Sequence, residues 1–201
     1  MNDSAFHSLK RNNHSHLRLP GEPGIWVFIF GDLLIFSLFF GTFLFYRAED
    51  VAQFTSSQAM LSKSFGVFNT ALMLSSSWFV AMGVNAVKEN RVKVPTALFS
   101  LAFLCGAGFG VVKVFEYSEK ISLGITLNTT EFYMYYYMFT GIHMVHVIIG
   151  MGVLAFLAFS CNARKGVYAE KDIRNIESGA CFWHVVDLLW IVLFPILYMV
   201  K

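Results

Sequence analysis

An all-α bundle of five membrane-spanning helices is the fold class this sequence predicts, and three observations predict it. Of the 201 residues, 56% are hydrophobic and only 14% charged, against about 25% charged in ordinary soluble domains, so the apolar surface exceeds what a soluble core would hide. The apolar residues gather in five runs, residues 25–46, 65–87, 96–117, 132–159 and 180–200. Each meets or exceeds the roughly 20 residues a helix needs to cross about 30 Å of hydrocarbon. Finally, Lys and Arg favour alternate connections. Lys10, Arg11 and Arg18 precede the first run, Lys88, Arg91 and Lys93 fill the second connection, and Arg164, Lys165, Lys171 and Arg174 fill the fourth. The opposite side holds Arg47, Lys63, Lys120 and Lys201. The positive-inside rule then predicts a cytoplasmic N-terminus and a periplasmic C-terminus.

The elements follow in order. Residues 1–24 are polar, carry His7, His14 and His16, and lack the apolar h-region of a cleaved signal peptide; they are expected to be a cytoplasmic leader, with residues 25–201 forming one domain. The first span opens after GEPG, whose proline suits a helix's first turn because its missing N–H has no intrahelical partner there. Pro95 opens the third span in the same way. Gly106, Gly108 and Gly110 within that span suggest close helix packing, since no strand precedes them to make a nucleotide-binding loop. Tyr133, Tyr135, Tyr136 and Tyr137 at the start of the fourth span read as an aromatic belt at the headgroup level. Pro195 lies inside the fifth span and is expected to kink it. The connections leave no room for a second domain, and Cys105, Cys161 and Cys181 have neither CxxC nor zinc-ligand spacing.

Ionisable residues at membrane depth cost about 2.5–3.5 kcal/mol on insertion scales and so invite a functional reading. The spans hold Asp32, Lys113, Glu116, His143, His146, His184 and Asp187. At 1.5 Å per residue, Asp32 sits roughly 10 Å from the cytoplasmic end of its helix, and His184 and Asp187 share one helix face at similar depth. Lys113 and Glu116 near the outer end of the third span read as an intrahelical ion pair with the lysine snorkelling outward. His143 and His146 suit interhelical hydrogen bonding, with metal or haem ligation as the alternative. Asp32 has no basic neighbour in its own helix, so it must be protonated, hydrated or paired with another helix. His184 and Asp187 are expected as its partners.

Four stretches carry a family resemblance: GIWVFIFGDLLIF in the first span, KVFEY ending the third, GIHMVHVIIG in the fourth and FWHVVDLLW in the fifth. In this order, with FNTALMLSSSW between, they resemble the haem-copper oxidase subunit III family over nearly the whole chain from Gly24 onward. Five spans and the leader LPGEPGIWVFIFGD most resemble the nitric oxide reductase-associated NorE type. The resemblance implies an accessory subunit of an oxidoreductase complex, cytochrome c oxidase or nitric oxide reductase in type, in the bacterial inner membrane. It implies no catalytic residue, cofactor or metal of its own. Haem with copper or iron belongs to catalytic subunit I, the expected partner, phospholipid is the expected ligand, and no nucleic acid is involved. Asp32 then stands where mitochondrial-type members carry an intramembrane glutamate. Glu116 matches the EY carboxylate, His143 and His146 the GxHxxHV pattern, and Trp183, His184 and Asp187 the WHxxD pattern, while Glu177 falls on a carboxylate near the cytoplasmic surface. These eight residues are the expected polar, proton- or lipid-related set.

Two rivals come from other classes. A haem-binding membrane cytochrome would use His143, His146 and His184 and show a stoichiometric Soret band. A proton-coupled transporter would use Asp32 and Asp187, and such folds carry internal repeats and broken helices; the sequence has no repeat.

Overall fold

The computed structural model describes residues 22–164 and 166–200. The leader histidines and Lys10, Arg11, Arg18, Lys165 and Lys201 lie outside that range. Six α-helices account for the described fold: α1 Pro23–Glu49, α2 Val51–Ala59, α3 Lys63–Lys88, α4 Val94–Ser122, α5 Glu131–Arg164 and α6 Glu170–Tyr198. All but α2 are long and apolar enough to cross a membrane, and there is no strand among the described residues.

α2 occupies what the sequence presents as a plain connection. Its nine residues are too few and too polar to register as a span, but Asp50 caps it, the carboxylate accepting from Gln53 N–H at 3.0 Å. Phe54 anchors it to the bundle, its ring meeting Phe43 at 5.5 Å and Phe132 at 5.9 Å, and Gln58 donates to the Leu197 carbonyl at 3.1 Å.

Helices α3, α4, α5 and α6 form the compact part, α3 against α4 and α6, and α5 against α4 and α6. Small residues let their backbones approach, as expected where lipid supplies no hydrophobic drive between helices. A Cβ built on Gly106 of α4 would lie 2.8 Å from Trp183 Cη2, and one on Gly150 of α5 would lie 2.6 Å from Trp183 Cε3. Of the three glycines in α4, Gly106 bears out close packing, whereas Gly108 makes only ordinary contact and Gly110 faces open space. α1 approaches the bundle differently, through large side chains rather than close backbones. Phe40 and Phe43 meet Phe139 of α5 at 5.5 and 5.9 Å, and Phe28 meets Phe182 of α6 at 6.0 Å.

The helices overrun the apolar runs. α5 has 34 residues, about 51 Å at the usual rise, and α6 begins ten residues before residue 180 with a polar turn, EKDIRNIES. Helical backbone bonds persist beyond the hydrocarbon, where hydropathy alone sees only the apolar part. The tyrosine cluster departs from its expected place. Tyr133, Tyr135 and Tyr136 are buried and pack inward rather than forming a lipid-facing belt, because α2 covers that end: Tyr133 Oη donates to the Ser57 carbonyl at 3.3 Å. Pro195 falls in the last turn of α6, three residues from its end, which leaves little helix beyond it to deflect.

Candidate functional site

The intramembrane polar residues form three clusters, and the helix pairing decides which residue meets which. In the first, Asp32 Oδ1 of α1 lies 3.1 Å from His146 Nε2 of α5. The expected partners of Asp32, His184 and Asp187, are turned elsewhere. His146 sits near the midpoint of α5's 34 residues, and there its imidazole faces Asp32 of α1. The other ring nitrogen, Nδ1, lies 2.9 Å from the Ile142 carbonyl, and the Phe36 ring packs edge-on against the imidazole at 5.9 Å.

The second cluster surrounds Lys113. Its ammonium donates to Glu116 Oε2 at 2.9 Å, the ion pair expected from the i, i+3 spacing. The lysine does not snorkel, however: it is 1% exposed. It also donates to Tyr198 Oη at 2.9 Å, and that hydroxyl donates to Glu116 Oε1 at 2.5 Å. Aromatic rings complete the enclosure, Nζ lying 4.8 Å from the Trp190 centroid, 5.2 Å from Tyr136 and 5.4 Å from Tyr198. A desolvated cation over aromatic rings gains about 2 kcal/mol, which with the charge-assisted bonds offsets the loss of water. His143 borders this cage. Its ring stacks on Trp190 at 5.5 Å and meets Phe109 at 5.6 Å. Neither of its nitrogens has a hydrogen-bond partner among the described residues, so the interhelical hydrogen bond expected of His143 is replaced by aromatic packing.

In the third cluster Ser77 of α3 meets His184 of α6, with Asp187 one turn along. Ser77 Oγ lies 2.5 Å from His184 Nδ1, and Asp187, on the same face of α6, is buried with its Oδ1 unpartnered among the described residues. Trp183 is fully buried one residue before His184, set between Gly106 and Gly150. Trp190 Nε1 donates to Thr70 Oγ1 at 3.1 Å, a second polar tie between α6 and α3. Glu177 stands apart, two turns into α6, and pairs with Lys88, the last residue of α3, at 2.8 Å.

Ser77, Thr70 and Tyr198 were not foreseen from the sequence. Thr70 and Ser77 lie one heptad apart in α3, the period of one helix face, and that spacing is the signal that was available. The arrangement ties helices through hydrogen bonds and enclosed charge. Asp32, Lys113, Glu116, His143, His146 and His184 each meet another side chain, a backbone carbonyl or aromatic rings, Asp187 Oδ1 is buried without a partner among the described residues, and no group of three or more His, Cys, Asp or Glu converges among those residues.

A bundle with this inward polar set defines a polytopic membrane protein whose ionisable side chains serve contacts between its own helices. Comparison with known proteins gives the family. The sequence model described as Cytochrome c oxidase subunit III matches residues 10–201, and the chain belongs to that family, within the haem-copper oxidases. It is 30% identical over 176 residues to cytochrome c oxidase subunit 3 of Thermostichus vulcanus, covering 87% of this chain and 85% of that one. It is 27% identical over 195 residues to a probable cytochrome c oxidase subunit 3 of Nocardia farcinica, covering 97% and 92%. A haem-copper oxidase subunit I+III of Aeropyrum pernix is 23% identical over 187 residues, which cover 89% of this chain and 22% of that longer one.

Proposed function

We propose that this chain is a cofactor-free accessory subunit III of a bacterial respiratory haem-copper complex, resident in the inner membrane with its N-terminus cytoplasmic. It packs beside catalytic subunit I, which carries the haem with copper or iron, and it steadies that subunit and its lipids while supporting proton uptake. The observation that carries this reading is the family match over residues 10–201. The subunit I+III relative supports subunit I as the partner, because there the two are one named unit. An apolar crevice of about 290 Å³ between α1, α5 and α6, lined by Ile25, Phe28, Ile149, Val153 and Phe182, supports phospholipid as a ligand. The sequence LPGEPGIWVFIFGD favours the nitric oxide reductase-associated type within the family.

The test is affinity purification of the tagged full-length chain from its own membranes in gentle detergent. A haem-bearing subunit I should co-purify in constant ratio, and recovery of the chain alone or with a haem-free partner would overturn the proposal. Oxygen and nitric oxide consumption by that preparation separates an oxidase from a nitric oxide reductase.

A further inference from the structure

We propose that the bundle core is a binding site for a resident water molecule, shared by Asn69 of α3 and His143 of α5 beside the Trp190 indole. Both side chains are 0% exposed, and all four of their polar atoms are buried without a hydrogen-bond partner among the described residues. A buried donor or acceptor left unmet forfeits its hydration, so orphans of this kind point to a ligand. Helix register brings the two together. Gly83 of α3 faces Phe99 of α4, Ser76 Oγ donates to the Ala102 carbonyl at 2.9 Å, and Leu72 faces Gly108. The two helices therefore run antiparallel, and the next buried position of α3, Asn69, falls at the level of Phe109. The Phe109 ring meets His143 at 5.6 Å and Trp190 at 4.8 Å, and His143 stacks on Trp190 at 5.5 Å. Thr70, the residue after Asn69, accepts from Trp190 Nε1 at 3.1 Å. Asn69 and His143 thus border the same pair of rings.

The donor set names the ligand. An amide accepts at its oxygen and donates from its NH2 group, and a neutral imidazole has one nitrogen of each kind. A cation would take the amide oxygen and the bare ring nitrogen and leave both N–H groups unmet, and an anion would do the reverse. Water donates and accepts at once, and a buried water typically makes about three hydrogen bonds. Lys113 supplies the third partner. Of its three N–H donors, two go to Glu116 and Tyr198, and its Nζ lies 4.8 Å from the centroid of the same Trp190 ring. A water held there joins α3, α4 and α5 through one molecule, at a level where the neighbouring contacts are aromatic. The site is a property of this chain alone and stands whichever complex the chain joins.

The test is crystallography of the full-length chain grown from a lipidic mesophase, at a resolution that orders internal water. A water should lie within hydrogen-bonding distance of an Asn69 amide atom and of a His143 ring nitrogen. A map without it, or one in which either side chain bonds directly to another protein group instead, would overturn the proposal. Thermal unfolding in mild detergent supplies an independent sign. If the Asn69 amide lacked any partner, an apolar side chain of its size would suit the site better, and Asn69→Leu would raise the melting temperature. An amide that shares a water with His143 gives the opposite result. Asn69→Leu should lower the melting temperature, and His143→Phe added to it should recover part of the loss, because that pair of substitutions strands neither ring nitrogen nor amide. A raised melting temperature in Asn69→Leu, or losses that add in the double variant, would sink the shared water. If Asn69→Leu fails to insert, the wild-type map alone decides.

Discussion

The indole of Trp183 stands so close over Gly150 that a Cβ added to the glycine would lie 2.6 Å from Cε3 and 2.8 Å from Cζ3. Trp183 meets Gly106 of a second helix in the same way, so one α6 side chain sets the approach of both α4 and α5. Gly150→Val forces the buried ring or the helix to shift, and overpacking of this kind costs about 1–3 kcal/mol. A lower melting temperature in mild detergent is expected. Gly110→Ala, where a Cβ meets nothing within 4 Å, should leave the melting temperature unchanged or raise it, since alanine favours helix by about 1 kcal/mol over glycine.

The enclosure of Lys113 predicts strong non-additivity. Lys113→Met leaves Glu116, itself 0% exposed, without its cation, and breaking one side of a buried pair costs about 3–5 kcal/mol. The double variant Lys113→Met with Glu116→Gln removes both charges and should recover most of that loss. Thermal or denaturant unfolding of the two single variants and the double one measures the coupling. Additive losses would mean that the two charges do not depend on each other.

Ser77 is a lesser tie. Ser77→Ala removes the hydroxyl bonded to His184, and interhelical hydrogen bonds in membrane hosts are worth about 0.6–2 kcal/mol. A small drop in melting temperature is expected, matched by His184→Leu and not increased when the two are combined. An unchanged profile in Ser77→Ala would remove this bond from the account.

At the helix end, the Lys88 and Glu177 pair is half exposed on the lysine side. Such pairs contribute about 0–1 kcal/mol and are screened by salt. Glu177→Gln should therefore leave stability nearly unchanged at high ionic strength. A large, salt-independent loss would point to a further role for Glu177.

The five spans were legible in the sequence because lipid demands length and apolarity, which a single chain displays directly. α2 was harder to see: its nine residues are too short for hydropathy, and only the spacing of Asp50 and Gln53 marked a helix start. The intramembrane polar residues were legible as a set, and the Lys113–Glu116 pair followed from i, i+3 spacing. The partners across helices were not. Asp32 meets His146 because α1 and α5 are neighbours there, which only the assembled bundle fixes, and Lys113 stays inward because Tyr136, Trp190 and Tyr198 come together only when three helices assemble. The tyrosine cluster was misplaced for a similar reason, since a belt and a core end capped by a short helix have the same composition.

Under the proposed accessory role, the polar residues of this chain serve its own helix contacts and the redox chemistry falls to its partner. Haem and metal analysis of the purified complex, before and after this chain is separated from it, tests that claim most directly. All haem, copper and iron should remain with the catalytic subunit, with the optical spectrum per haem preserved. A stoichiometric Soret band, or bound metal travelling with this chain alone, would contradict the account.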